Sequence, residues 1–267
     1  MTDLVAMKKR QQQMWSTGDY MLVSGDIVLV SEWLCEAVDL RASQRVLDVA
    51  TGTGNTALAA ARRRCEVIGV DYVPTMIETA QARAATERLH VTFRQGDAEN
   101  LPFADASFDV VLSTFGVMFT PDQDKAASEL LRMCRSGGKI GLANWTPESF
   151  PGEFRRIIGQ YIPPPPGVQS PARWGTEEGL RALFGDALAS LQVTLRSTAL
   201  RHQSARHGIE HFRTYFAPVV AAFATLKAEQ QEQLMHDMVE AAQRFNRSGD
   251  ATLVVPCDYL EVIAIKR

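Results

Sequence analysis

Arg45-Val46-Leu47-Asp48-Val49-Ala50-Thr51-Gly52-Thr53-Gly54-Asn55 carries the strongest structural signal in the chain. An apolar run holding one acid passes into a tight glycine loop, and a helical pattern over residues 56–64 follows at once. A second acid, Asp71, closes the next apolar run, Val67-Ile68-Gly69-Val70. Gly52 and Gly54 let the backbone turn sharply and approach a ligand without a Cβ clash. The helix behind them aims free N–H groups and the positive end of its dipole at the loop. A strand–loop–helix–strand unit of this kind builds a nucleoside pocket. Asp71 stands roughly 20 residues beyond the loop, where a carboxylate can accept both hydroxyls of a ribose.

Gly52-Thr53-Gly54-Asn55-Thr56-Ala57 also fits the G-x-G-x-x-A dinucleotide fingerprint, so an NAD-dependent oxidoreductase is one reading of the loop. Asp48, four residues before Gly52, weighs against it. A pyrophosphate gains nothing from a nearby carboxylate, whereas a ligand with an ammonium or sulfonium group does. S-adenosylmethionine has both, together with a ribose and an adenine. The bland alternative for Asp48 is a local cap or ion pair.

Composition bounds the remaining possibilities. The 267 residues are 46% hydrophobic and 22% charged, enough for one large domain or a domain with a cap. A net charge of −3 argues against a protein that tracks nucleic-acid phosphates, so no nucleic-acid partner is expected. Arg62-Arg63-Arg64 reads as a solvated helix end. The four cysteines, Cys35, Cys65, Cys134 and Cys257, form no C-x-x-C pair, which gives neither a disulfide framework nor zinc spacing. Lys8-Lys9-Arg10 precedes no apolar stretch, so no signal peptide or membrane span is expected. A reducing, cytoplasmic setting fits both observations.

Apolar runs at 46–49, 65–70, 90–94, 108–112 and 139–143 alternate with helical patterns at 56–64, 75–88 and 121–134. That alternation implies a parallel sheet with right-handed crossovers and a ligand at the carboxyl ends of its strands. Upstream, residues 1–20 are polar with spaced apolar positions at Leu4, Val5, Met7, Met14 and Trp15, which suggests a short amphipathic helix, then a turn at Gly18-Asp19 and a second helix through Val28, Trp33, Leu34 and Val38 capped by Ser24 or Asp26. Pro74 fits the first turn of the second crossover helix, and Gly137-Gly138 would terminate the helix before the fifth strand. After Trp145 the rhythm breaks. Pro163-Pro164-Pro165-Pro166 reads as a stiff connection, Thr176 and Gly185 bracket a short helix, and 191–200 alternates as a sixth strand. Residues 206–247 read as helical, and 251–255 with 259–265 as a closing strand bulged at Pro256. The expected organisation is an N-terminal helical lid over 1–44, a nucleoside-binding core over 45–145, a cap and acceptor region over 146–250, and a closing strand over 251–267.

Over about residues 11–145, and again in the closing strands, the chain resembles the class I S-adenosylmethionine-dependent methyltransferases. Residues 46–54 are similar to that family's first motif and Gly69-Val70-Asp71-Tyr72 to its ribose-binding motif. Gly96-Asp97-Ala98-Glu99-Asn100-Leu101-Pro102-Phe103 is similar to the adenine-binding segment, and Phe108 to Phe115 to the fourth strand with its active-site end. The subgroup resembled is that of the ubiquinone and menaquinone C-methyltransferases and their small-molecule relatives. Ala50 replaces the commonest glycine, and Ser136 replaces a proline. Ser113-Thr114-Phe115-Gly116 stands where N-methylating members have Asn/Asp-Pro-Pro-Tyr, which lowers nucleic-acid and amide targets.

The resemblance implies an α/β, doubly wound, seven-stranded and mostly parallel sheet with a helical cap. It also implies S-adenosylmethionine as cofactor. By its analogy Asp48 orients the methionine amino group, and Ala50, Thr51, Gly52 and Gly54 line the methionine moiety. Asp71 binds the ribose, and Tyr72 and Met76 pack near the adenine, which Asp97 and the Ala98 N–H hydrogen-bond. Ser113, Thr114 and Phe115 border the amino group and the transferred methyl, while Trp15 and Tyr20 close over the cofactor.

Displacement at a sulfonium needs alignment and a dry site more than a catalytic triad. A base is needed only when the nucleophile must lose a proton, and His202, His207 and His211 are the candidates. Asn144, Trp145, Trp174, His202 and Tyr215 are candidate acceptor-binding residues. His207-Gly208-Ile209-Glu210-His211 fits H-x-x-E-H, but Gly208 weakens the helix and no third ligand is evident, so no metal is expected. The aromatic content of the cap suggests a small apolar or aromatic acceptor. A non-catalytic S-adenosylmethionine-binding protein is the other alternative.

Overall fold

The computed structural model describes residues 4–165 and 167–267. The first three residues of the expected lid, and Pro166 of the proline run, lie outside the described residues. Two helices, α1 (Leu4–Trp15) and α2 (Tyr20–Ser24), lead through one 3-10 turn into α3 (Val28–Ala37). Neither Ser24 nor Asp26 caps α3, which starts without a side-chain cap; Asp19 caps the short α2, its carboxylate accepting the Met21 N–H. The alternating unit follows as β1 (Arg45–Val49), α4 (Asn55–Arg62), β2 (Glu66–Asp71), α5 (Pro74–Thr86), β3 (Val91–Gln95), β4 (Phe108–Thr114), α6 (Gln123–Met133) and β5 (Cys134–Trp145). Beyond it come α7 (Phe150–Tyr161), α8 (Glu177–Phe184), β6 (Leu188–His202), α9 (Ala205–Tyr215), α10 (Ala217–Thr225), α11 (Ala228–Phe245) and β7 (Leu253–Lys266).

All seven strands form one sheet in the order β3-β2-β1-β4-β5-β7-β6. The first five are parallel, and only β7 runs against its neighbours. Helices cover both faces. On one face the small residues Ala57 and Ala59 to Ala61 bring α4 close to Val46, Val110 and Leu112, with Leu34 and Val38 of α3 alongside. On the other, Ala126, Leu130 and Met133 of α6 pack on Val111, Ile140 and Leu142. Each large aliphatic side chain so buried contributes about 1.5–3 kcal/mol.

The β6–β7 ladder outruns the rest of the sheet. β5 stops with Trp145 opposite Tyr259, but β6 and β7 stay paired to His202 and Leu253. On this overhang Leu200, Val255 and Cys257 form a second core with Phe154 of α7, Phe212 of α9 and Met238 of α11.

Three expectations are corrected. Pro256 makes no bulge: it pairs in register with Ala199, past the end of β5, where β7 has no second ladder to lose a donor from. Gly137-Gly138 does not end a helix, because α6 stops at Met133 and both glycines lie inside β5. There the register slips between Phe108 and Val110, and a Cβ on Gly138 would meet the Asp109 carbonyl oxygen at 2.8 Å. The helical stretch after 205 is three helices, broken at Phe216 and again before Ala228. In the arginine triplet Arg62 and Arg64 are exposed, as expected, and Arg63 is half-buried; Arg62 pairs with Glu32 and Glu87, and Arg63 with Glu32 and Glu36.

Gly141 of β5 faces α3, and a Cβ there would lie 2.6 Å from Val38 Cγ1 and 2.8 Å from Leu112 Cδ2. Gly141→Val is expected to destabilise the fold by about 1–3 kcal/mol through overpacking. Urea denaturation of the two proteins measures this, and an unchanged midpoint would mean that α3 does not pack there as described.

Candidate functional site

The loop after β1 is held by two buried acids. Asp48 is 1% exposed and accepts the Thr51 hydroxyl and, at 3.0 Å, the Ala57 N–H at the start of α4. Asp71 is 5% exposed and accepts the Gly52 N–H at 2.8 Å and the Val73 N–H at 3.0 Å. Between them Ala50, Gly52 and Gly54 take φ values of +54°, +54° and +89°. Ala50 is the costly member, since an L side chain rarely adopts that conformation. Its methyl occupies the space where a Cβ of Gly116 would sit, 2.6 Å away.

These groups open onto a cavity of about 940 Å³, open solvent at its mouth included, lying at the carboxyl ends of β1, β2 and β4 and beside the segment after β3. That is the place that doubly wound sheets use for their ligands. Trp15, Tyr20, Asp48, Ala50, Thr51, Gly52, Asp71, Tyr72, Met76, Asp97, Ala98, Thr114 and Phe115 all line it. Two of the expected cofactor residues do not. Gly54 turns the loop into α4 from behind, against Ala80 and Phe93. Ser113 is buried and donates its hydroxyl to the Val49 carbonyl.

The five candidate acceptor residues lie outside the lining. Asn144 is wholly buried with both polar side-chain atoms unpartnered. Trp145 stacks face to face on Phe115, centroids 3.5 Å apart, and so backs the cavity wall. Trp174 is wholly buried against Phe184. His202 meets His207 and His211 of α9, centroids 5.6 and 5.2 Å away, and Tyr215 packs on His211. Burial, then the two neighbouring histidines, push the His202 pKa down to about 4. Gly208 is what lets that ring approach the helix: a Cβ would stand 2.9 Å from it. Glu210 of the H-x-x-E-H pattern turns to Arg206 and Arg213.

The structure adds residues that the sequence did not mark. Lys8 of α1 reaches Asp97 at 2.6 Å and also pairs with Glu99, while Gln12 of α1 donates to the Tyr72 carbonyl. Gln11, Ser24, Ile27, Ser31, Thr56 and Phe119 also face the cavity. Thr56, at the head of α4, was the one findable by position; the others arrive by tertiary packing of α1 to α3 and the segment after β4. Among the described residues Lys8 is the one basic side chain in the lining, against Asp48, Asp71, Asp97 and Glu99. The field at the loop therefore favours a cationic ligand and opposes a pyrophosphate.

Fold and cavity together define an α/β protein with a nucleoside site built for a cationic ligand. Residues 46–138 match a family model described as a methyltransferase domain. An uncharacterized protein of Mycobacterium tuberculosis is 36% identical over 259 residues, 95% of this chain and 93% of its own length. The demethylmenaquinone methyltransferase of Thermus thermophilus is 40% identical over 120 residues, which is 43% of this chain and 54% of that enzyme. The solved structure of the YcgJ protein from Bacillus subtilis superposes with a TM-score of 0.62 at 25% identity, over 89% of this chain and 98% of that one. The chain belongs to the class I S-adenosylmethionine-dependent methyltransferases. Its cofactor is S-adenosylmethionine and its reaction is methyl transfer, so the dinucleotide reading of the glycine loop and the non-catalytic alternative both fall away.

Burial raises the Asp48 pKa to about 7 against the opposing Thr51 and Ala57 hydrogen bonds, with Asp71 adding repulsion. Burial likewise raises Asp71 to about 6, against backbone N–H groups of Val73, Gly52 and Tyr72. Both values exceed those of an unfolded carboxylate. In the free protein these groups therefore favour folding at low pH, and that contribution is lost as pH rises through about 6 to 7. Binding of a ribose by Asp71 and a cationic head by Asp48, as expected from the sequence, would run the other way, because both contacts need the ionised acids. The rise in melting temperature given by S-adenosylhomocysteine should grow between about pH 5 and 7.5, affinity rising up to roughly tenfold per pH unit below the pKa. A shift independent of pH would remove these acids from the binding site.

Proposed function

We propose that the chain transfers the methyl group to a small apolar or aromatic acceptor, and that the acceptor enters against the aromatic wall of the cavity. The observation that carries this is the ring cluster at the mouth. Trp15 packs edge-on against Tyr20, Phe119 and Phe216 at 5.7–5.9 Å, and Phe115 is braced by Trp145. Rings of this kind offer a large, rigid apolar surface and exclude water.

In this reading Asp71 holds the ribose through its remaining lone pairs, Asp97 and the Ala98 N–H hold the adenine, and Tyr72 and Met76 flank it. Asp48, Ala50, Thr51 and Gly52 bound the methionine end, Thr114 and Phe115 border the reacting region, and Trp15 and Tyr20 form the lid. When bound, S-adenosylmethionine supplies a methyl group already activated on a sulfonium. The protein's part is alignment and dryness, with no base required for a carbon nucleophile or an acceptor already ionised. Residues 1–44 serve as lid and 146–250 as acceptor cap. The demethylmenaquinone methyltransferase likeness makes hydroxylated aromatic rings the first class to try. Among the described residues no helix is long and apolar enough to cross a membrane, which is compatible with a cytoplasmic enzyme.

Methyl-labelled cofactor with a panel of quinols, phenols and amines tests the acceptor class. Label on a quinol or phenol supports it, and label on amines alone overturns it. Trp15→Ala should lower kcat/KM by about tenfold through loss of ring contact, with cofactor affinity changed less than about threefold. Asp71→Ala should weaken S-adenosylhomocysteine binding by about 1–3 kcal/mol, and His207→Ala should leave it unchanged. Calorimetric titration of both variants decides, and the reverse pattern would undo the assignment.

A further inference from the structure

Among the described residues seven serine and threonine side chains line the cavity: Ser24, Ser31, Thr51, Thr53, Thr56, Thr114 and Thr120. A hydroxyl has one proton to give, so each can be followed to its destination. Thr51 donates to Asp48 and Thr120 to the Val117 carbonyl. Arg83 donates to Thr53, which leaves the Thr53 proton for Ser24 at 2.8 Å, and Ser24 donates onward to the Met21 carbonyl. That chain ends inside the protein.

The remaining three make a second chain. Ser31 of α3 and Thr56 of α4 lie 2.9 Å apart, and Thr56 donates to Thr114, at the end of β4, over 2.8 Å. Thr56 has no second proton, so Ser31 donates to Thr56. Ser31 and Thr56 are 0% and 3% exposed, so solvent water does not compete for either hydroxyl. No group among the described residues takes the Thr114 proton, and Thr114 faces the cavity. The relay therefore runs one way, out of the protein and into the site.

The strand order says which part of a ligand meets it. Along β3-β2-β1-β4, Asp97 follows β3, Asp71 ends β2, Asp48 and the glycine loop belong to β1, and Thr114 ends β4. A cofactor with adenine at Asp97 and ribose at Asp71 has its amino-acid arm at β1 and β4. The arm's ammonium is served by the acids. Its carboxylate needs a donor in a lining that holds four acids, with Lys8 far along at the adenine end. We infer that Ser31, Thr56 and Thr114 form a hydroxyl relay that anchors the cofactor's carboxylate, with Thr114 as the contact and Ser31 and Thr56 as positioning residues.

The inference rests on the proposed orientation of the cofactor, and the test separates the two. S-adenosylhomocysteine and 5′-methylthioadenosine share the adenosine and the thioether, but the second lacks the amino-acid head. Calorimetric titration of both ligands should show Thr114→Val weakening S-adenosylhomocysteine about tenfold and 5′-methylthioadenosine less than twofold. Thr114→Ser should restore most of the loss, and Ser31→Ala should cost about threefold, again only for the ligand with the head. Equal losses for both ligands, or none for either, would overturn the relay. Asp71→Asn is the control for orientation: it should weaken both ligands alike, and if it weakens neither the cofactor does not lie as proposed.

Discussion

Two carboxylates buried in one cavity hold a single loop from opposite sides, and the site depends on that constraint. Asp48 ties Thr51 to the head of α4, and Asp71 ties Gly52 to the turn after β2. Burying two acids within mutual reach is expensive unless each is well hydrogen-bonded, and both stay easier to protonate than a solvated acid for that reason. The return is a loop fixed at three positive φ values and a cavity whose centre is negative. A cationic nucleoside in the proposed position would relieve this charge and complete the electrostatics that the fold leaves unbalanced.

The rest of the architecture closes that charged centre from two directions. From the N-terminal side α1 fastens itself across the adenine end, Lys8 neutralising Asp97 and Glu99 while Gln11 and Gln12 hold the Phe119 and Tyr72 carbonyls. From the other side the β6–β7 overhang carries α7 and α9 to α11, and Phe216, just past α9, meets Trp15 and Tyr20. The Asp19 N–H to Tyr215 carbonyl hydrogen bond, 3.1 Å, joins the two covers at their seam. Gly18 has no Cβ to spare there, for one would stand 2.3 Å from that same carbonyl oxygen.

What was legible in the sequence was what is decided locally. The β1–α4–β2 unit announces itself because strand, glycine turn and helix start are each set by a few adjacent residues, and the acids at its strand ends are fixed by the same spacing. Elements decided by distant partners were misread. Gly137-Gly138 looks like a helix stop until Asp109 of the neighbouring strand claims the space beside it. Pro256 looks like a bulge unless one knows that β5 has already ended. Lys8 and Ser31 carry no motif at all, since only the packing of α1 and α3 brings them to the cavity. Asn144, Trp174 and His202 lie outside the cavity lining for the converse reason: Asn144 and Trp174 are buried in the core and His202 packs on α9 of the cap.

The division between legible and illegible parts bears on specificity. The likeness to demethylmenaquinone methyltransferase covers 43% of the chain, and the methyltransferase-domain match ends at residue 138, before α7 begins. The residues that would meet the acceptor come from α1, α2 and the segments after β4, braced by a cap outside that match. The unit proposed to hold the cofactor is thus compact and local, within the stretch that matches the methyltransferase-domain model, whereas the proposed acceptor contacts are distributed over elements that meet only in the folded protein. In the proposed acceptor position, a change of acceptor would leave Asp48, Asp71 and the glycine loop untouched and act on the rings of Trp15, Tyr20, Phe119 and Phe216, which contacts between the two covers hold in place.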